Sequence, residues 1–269
     1  MRQPRGDSRG ILDPARLARQ VRFRRHLPTL ALHRWVEHYW LIDWDLGEPF
    51  EQRIVPHPAV NLVFQRDGNG PERAELAGVG QELFSITLTG SGRVSGVQFR
   101  PGGFHPFWRR PVAELTGRRR PIADLADVGG PPGHAVCAGT DAERCQALDA
   151  LLGGWAPRPD PVNDEVMSLV ETIRTDRNVR RVDEFAREHG VSVRRLQRLF
   201  LTHVGVGPKW VIRRYRLHEA IERAAGGPPD WAGLAAELGY SDQAHLVRDF
   251  TAATGVSPTA YAQTGRRWA

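Results

Sequence analysis

Near its C-terminal end the chain spells one pattern twice. Phe185-Ala186, Gly190, Val191-Ser192, Leu196, Arg198, Phe200, Gly205-Val206 and Pro208 recur as Leu234-Ala235, Gly239, Tyr240-Ser241, Leu246, Arg248, Phe250, Gly255-Val256 and Pro258. The offset is 49 residues at the start and 50 from the leucine onward, so the second copy holds one extra residue in its turn. A repeat of this length is one supersecondary unit built twice. Each copy reads as a short helix, a glycine turn, a serine-capped second helix and a Gly-x-x-Pro stop. That is helix-turn-helix grammar, and a tandem pair of such units can place two helices one DNA turn apart.

Spacing inside the units sorts buried from outward positions. In the first unit, Val182 to Glu188 buries Val182, Phe185 and Ala186, and Gly190 supplies a turn that a residue with a Cβ would resist. Ser192 caps a second helix running to His203, with Leu196, Leu199 and Phe200 inward at i, i+3 and i+4. Arg194, Gln197, Arg198 and Leu201 fall on the opposite face. Arginine can read guanine O6 and N7, and glutamine can read adenine N6 and N7, each with two hydrogen bonds. The second unit buries Leu234, Ala235 and Leu238, turns at Gly239 and restarts at Ser241 or Asp242. Leu246 and Phe250 then face inward, leaving Gln243, Ala244, His245 and Arg248 outward. Between the units, Lys209 to Ala225 reads as one long helix that spaces the two reading heads.

The formal net charge of +6 is weak evidence for nucleic acid, because arginine supplies every basic residue except Lys209, a bias that a GC-rich coding genome produces everywhere. Where the charge lies says more. Gly190 to His218 holds no acidic residue, yet Arg194, Arg195, Arg198, Lys209, Arg213, Arg214 and Arg216 all fall there. Such a stretch attracts phosphate by counterion release. Arg195, Lys209, Arg213 and Arg214 are the expected phosphate contacts.

Residues 161 to 262 resemble the DNA-binding domain of the AraC/XylS family of bacterial transcription regulators. The signature is most specific in the second unit, from Leu234 through Gly239-Tyr240-Ser241 to Leu246, with Arg248, Phe250 and Gly255-Val256-Ser257-Pro258 after it. The resemblance implies base-reading roles for Arg194, Gln197 and Arg198 in the first helix and for Gln243, His245 and Arg248 in the second. This chain has Leu246 where the family usually carries phenylalanine. It has Ala244 where a larger polar residue is common, which argues against a base contact there.

The N-terminal half reads differently. Residues 1 to about 30 suggest a loose arm with a helical stretch from Asp13 to Arg22, and Leu32 to His38 suggests one or two helical turns. Tyr39–Trp44, Arg53–Val55, Ala59–Gln65, Leu83–Leu88 and Val94–Phe99 read as strands, the last two with period-two alternation about a Gly/Ser turn. Short strands without intervening helices predict an antiparallel sheet or small barrel. Residues 126 to 140 read as a Gly/Pro/Ala-rich linker, and Asp141 opens a helix to Leu152. The expected fold class is therefore α+β: a β-rich domain over residues 1–125, a linker with one helix to 160, and an all-α domain over 161–264 with helix-turn-helix units at 182–204 and 231–254. Val36 to Trp40, Pro56 to Phe64 and Gly96 to Gly103 also resemble an N-terminal domain fused to this DNA-binding module in some family members. That resemblance implies a cupin-like β-structure that senses a small molecule or mediates dimerisation.

Rival chemistries leave little trace. There is no Gly-x-Ser-x-Gly, no P-loop and no Gly-x-Gly-x-x-Gly after a strand, so no enzyme activity is expected. His26, His33, His38, His57, His105 and His134 show no tight ligand pair and no carboxylate at a recognised spacing, so neither metal nor cofactor is expected. Trp35, Trp40, Trp44 and Phe64 are candidates for lining an apolar effector pocket, with β-domain core as the alternative. Cys145, Leu148, Leu151 and Leu152 form a stripe needing a partner, either the chain's own β-domain or the same helix of a second subunit; a homodimer is the favoured expectation. The polar, arginine-bearing Met1 to Gly10 is unlike a secretory signal, and no apolar run approaches the roughly 18 residues of a membrane span. Two cysteines, Cys137 and Cys145, fit a reducing compartment, so a cytoplasmic regulator bound to double-stranded DNA is expected.

Overall fold

A computed structural model of the chain describes residues 10–124 and 135–266. The N-terminal half holds eight strands: β1 (Val21–His26), β2 (Val36–Asp45), β3 (Phe50–Ile54), β4 (Asn61–Asp67), β5 (Arg73–Ala77), β6 (Phe84–Leu88), β7 (Ser91–Phe99) and β8 (Arg119–Pro121). Six form an antiparallel sheet in the order β1-β2-β7-β4-β5-β8, and β3 and β6 pair separately. A short helix α1 (Pro14–Gln20), capped by Asp13, leads into β1. The expected loose arm is thus an ordered edge strand from Val21, paired residue for residue with β2. Its alternating arginines hide it from a hydrophobicity scan. Leu32 to Trp35 forms turns, but Val36 to His38, expected as helical, is already strand. β6 and β7 are consecutive yet unpaired, because the chain crosses between sheets at Gly90.

Both faces of the large sheet are covered, which is why β2 is apolar at successive positions. Tyr39 faces one core, with the fully buried Leu41 on the same side of the strand, while Trp40, Ile42 and Trp44 face another together with Phe50 and Leu88 of the small sheet. Each tryptophan lies over a glycine of the neighbouring strand, Trp40 over Gly96 and Trp44 over Gly92, where an added Cβ would overlap the indole ring.

On the other face sits α3 (Asp141–Gly154), started by a capping box between Thr140 and Glu143. Leu148 and Leu152 are fully buried, and Arg144 reaches Asp43 and Ser95 in the sheet at 2.7 and 2.9 Å. The apolar stripe therefore finds its partner in its own chain, which removes the reason for placing this helix in a dimer interface. The linker expectation also changes. Its residues up to 134 lie outside the described residues, as do His134 and residues 1–9. Val136 and Cys137 are buried and donate their backbone N–H groups to the Glu72 carboxylate.

The C-terminal half is helical: α4 (Pro161–Thr175), α5 (Val182–Glu188), α6 (Val193–His203), α7 (Pro208–Ala225), α8 (Trp231–Glu237), α9 (Gln243–Thr254) and α10 (Pro258–Arg266). One hydrophobic cluster runs from the large sheet through α3 and α4 to α6 and the first half of α7. A second joins the rest of α7 to α8, α9 and α10, and includes Leu12 and Val55 from the β-half.

Candidate nucleic-acid interface

The first unit assembles as its spacing predicts. Gly190, with φ +65°, turns the chain out of α5, and the Ser192 hydroxyl accepts the Arg195 N–H at the start of α6. Leu196, Leu199, Phe200 and His203 are buried. Arg194, Arg195, Gln197 and Arg198 are exposed, with Val193 and Leu201 beside them as exposed apolar side chains. A helix that buries one stripe and leaves three arginines, a glutamine and two aliphatic residues in water can offer bidentate donors and methyl contacts to base edges.

The second unit is less free. Gly239 repeats the turn with φ +75°, and Asp242 rather than Ser241 caps α9, accepting the His245 N–H at 2.7 Å. That bond holds the Asp242 carboxyl below its usual range. Leu246 and Phe250 are buried, while Gln243 and Arg248 are exposed. His245 is half-buried and engaged within the protein: its Nδ1 lies 3.2 Å from the Ser241 hydroxyl, and its ring packs edge-on against Tyr240. With Asp242 and Asp249 close by, this head is less attractive to a phosphate backbone than the first.

The four expected phosphate contacts separate. Lys209 is exposed. Arg195 is exposed, with Glu165 at 3.5 Å. Arg213 is exposed but donates to Asp249 at 2.6 and 3.2 Å, a pair that phosphate would have to displace. Arg214 is a correction. It is buried, donates to the Gln81 carbonyl of the β-half at 2.7 Å and stacks on Trp210, and burial pushes its pKa down to about 10. Arg216 likewise turns inward, onto the carbonyls of Asp176 and Val179. The acid-free run is thus part surface and part interior, a division set by which face of α7 meets the rest of the molecule.

Arginines also tie the second unit to α7 and to the segment ahead of α5. Besides Arg213 on Asp249, Arg180 donates to the Glu237 carbonyl at 2.9 Å, with its aliphatic stem over the Gly239 turn. Arg223 bridges Glu219 and Glu237 at 3.1 and 2.6 Å. Sequence reasoning missed Arg180, whose only signal was its place just ahead of α5.

The β-half docks on this helical body at several points. The Thr116 hydroxyl donates to the Gly205 carbonyl at 2.7 Å, in the turn after α6. His218 stacks on His57 with ring centroids 4.3 Å apart, and the Tyr261 hydroxyl donates to the Leu12 carbonyl at 2.9 Å. Beside these contacts, a cleft of about 250 Å³ opens between the sheet and α4, with Arg25, Arg34, Arg100 and Arg174 against Glu37 and Glu171 on its walls. Trp35, Trp40, Trp44 and Phe64 do not line it. Trp35 and Phe64 belong to the core under α3, while Trp40 and Trp44 lie on the opposite face of the sheet. No single pocket can gather them.

A second junction brings His105, Asp160 and His203 within reach of one another. Short α2 (His105–Trp108) carries the first. Burial lowers the pKa of both imidazoles, that of His203 to about 4 with His105 adding to the effect.

Residues 185–264 match the family described as a helix-turn-helix domain, and residues 24–121 match a domain of unknown function, DUF6597. The C-terminal region is a helix-turn-helix domain of the AraC type. With this domain the chain is a DNA-binding transcription regulator. No curated protein matches it in sequence. Among solved structures, ToxT from Vibrio cholerae at 1.65 Å is 13% identical, with a TM-score of 0.41, over 90% of this chain and 98% of that one. ToxT bound to (E)-4-(8-methylnaphthalen-1-yl)but-3-enoic acid is 13% identical, with a TM-score of 0.41, over 84% and 97%. Unsaturated fatty acid bound ToxT is 14% identical, with a TM-score of 0.38, over 83% and 94%. At that distance the likeness says nothing of this chain's own ligand. No helix among the described residues is long and apolar enough to cross a membrane.

Proposed function

We propose that the helix-turn-helix domain reads double-stranded DNA with two helices in adjacent major-groove segments, α6 as the principal reader and α9 as the weaker one. The exposed Arg194, Gln197 and Arg198 face carries this reading, because no carboxylate on α6 opposes it. Gln243 and Arg248 supply the base contacts of the second head. His245 joins them only by giving up its contact with Ser241. Lys209 and Arg195 position the duplex through phosphate, with Arg213 sharing its charge with Asp249. Such a regulator acts in the cytoplasm, where the chromosome lies.

Regulation follows from the docking of the two halves. A small molecule in the cleft between the sheet and α4 would touch the β-half through Arg25 and Arg100 and α4 through Arg174, changing how firmly the β-half holds the helical body. No dimer is needed for this, since both reading heads and both walls of the cleft belong to one chain. Binding selection over randomised DNA tests the base reading. Arg198→Ala is expected to cost about 1–3 kcal/mol and to relax one position of the preferred site. An unchanged preferred site would remove Arg198 from the readers.

A further inference from the structure

The C-terminal end of α6 meets the β-half at a cluster of ligand-type side chains. We propose that His105, Asp160 and His203 bind a divalent transition-metal ion of the zinc class, clamping the β-half to the first helix-turn-helix unit. One ring nitrogen from each histidine and one carboxylate oxygen of Asp160 lie within 4.8 Å of one another. The three belong to three elements: His105 opens α2, Asp160 caps α4 and His203 closes α6.

Their hydrogen bonding leaves donors for a metal. His203 is 5% exposed, and its Nδ1 lies 3.1 Å from the amide oxygen of Asn163, itself fully buried. With the amide oxygen turned to it, Nδ1 takes the donor role, the tautomer that frees Nε2 for a metal, while the Asn163 side-chain nitrogen is buried without a hydrogen-bond partner among the described residues. Metal-bound histidines are held in this way, with the outer N–H donated to an oxygen. His105 Nδ1 is buried without a hydrogen-bond partner among the described residues. Asp160 spends one oxygen on the Val162 N–H at 2.9 Å, leaving the other unused by the cap.

Two imidazoles and a carboxylate suit zinc and its neighbours, whereas magnesium and calcium take oxygen ligands. Three protein ligands leave a fourth position for water. Tetrahedral zinc with bonds of about 2.0–2.2 Å sets its ligand atoms about 3.4 Å apart. Occupancy would therefore draw α2 toward α4 and α6, close to the bond from Thr116 to Gly205.

Tag-free full-length protein, stripped with a chelator, is titrated with Co²⁺ and then with Zn²⁺ in competition. The expected result is one equivalent of Co²⁺ with visible d–d absorption, abolished by Zn²⁺, and a thermal midpoint that Zn²⁺ raises. His105→Gln and Asp160→Asn should each weaken binding at least about tenfold. Asp160→Asn retains a helix cap, since asparagine caps as well as aspartate, and circular dichroism checks that both variants fold. His203→Gln, at a buried position, is not needed for the decision. Absence of binding at about 100 μM Co²⁺, or binding that both variants leave unchanged, overturns the proposal.

Discussion

Arg144→Ala probes the packing that takes α3 out of a dimer interface. The guanidinium is fully buried and donates to the Asp43 carboxylate, the Ser95 hydroxyl and the Val94 carbonyl. Truncation does not strand all three. Asp43 keeps Arg24 and Arg93, and Ser95 keeps its own bond to the Val136 carbonyl. Val94 keeps its place in a strand paired on both sides, so what is lost is one charge-assisted bond, at about 1.5–3 kcal/mol, and one bond to a strand carbonyl, at about 0.5–1.5 kcal/mol. The expected total is about 2–4.5 kcal/mol, because Asp43 is not left as an unpaired charge. At roughly 2–4 °C per kcal/mol for a chain of this size, the melting midpoint should fall by roughly 4–18 °C. Urea denaturation followed by tryptophan fluorescence, at low and at fifty-fold higher protein concentration, measures it. A loss under about 1 kcal/mol would refute the energetics. A loss that shrinks at high concentration would refute the packing in cis, since only a second subunit makes stability depend on concentration.

Three further outcomes are expected. Lys209→Ala should reduce the salt dependence of DNA binding by about one unit of slope, while Arg214→Ala leaves the slope unchanged and costs stability instead; equal slopes for both variants would restore Arg214 to the phosphate set. His38 is buried and its pKa is pushed down to about 3, chiefly by burial, with Arg25 and His57 adding. A histidine held neutral when folded stabilises fully above its unfolded pKa of about 6.5 and loses that contribution as pH falls. Between pH 7 and pH 5 this group alone should cost about 2 kcal/mol, and His38→Gln should flatten that part of the stability–pH curve. Gly96→Ala drives a methyl group into the Trp40 ring and should cost about 1–3 kcal/mol in urea denaturation, whereas Gly47→Ala, with nothing near its Cβ, should not.

The repeat made the helical half legible because every feature defining it is local. A cap, a turn glycine and an i, i+3, i+4 stripe lie within one short window, so α5, α6 and α9 fall where the spacing puts them. Arg194, Gln197 and Arg198 were readable for the same reason: the face opposite a buried stripe is known once the stripe is known. In the β-half, Val94 to Phe99 showed its alternation, but β1, β5 and β8 did not. The edge strands β1 and β8 are rich in arginine and β5 is short and mixed in polarity, so none carries much hydrophobic signal, and pairing energy comes from a neighbouring strand.

The sequence by itself determined two helix-turn-helix units, the Ser192 cap, the outward face of α6 and the α+β division of the chain, all consequences of short-range periodicity. Tertiary structure alone decided which cations stay in water. Arg213 and Arg214 are adjacent on one helix, yet one meets Asp249 at the surface and the other a carbonyl of the β-half. It also decided that α3 covers its own sheet, that the four aromatics divide between two faces, and that His105 meets His203 across 98 residues of chain. Such outcomes depend on which surfaces dock over long loops. Docking follows from complementary shape and buried area between distant segments, and no local pattern encodes it.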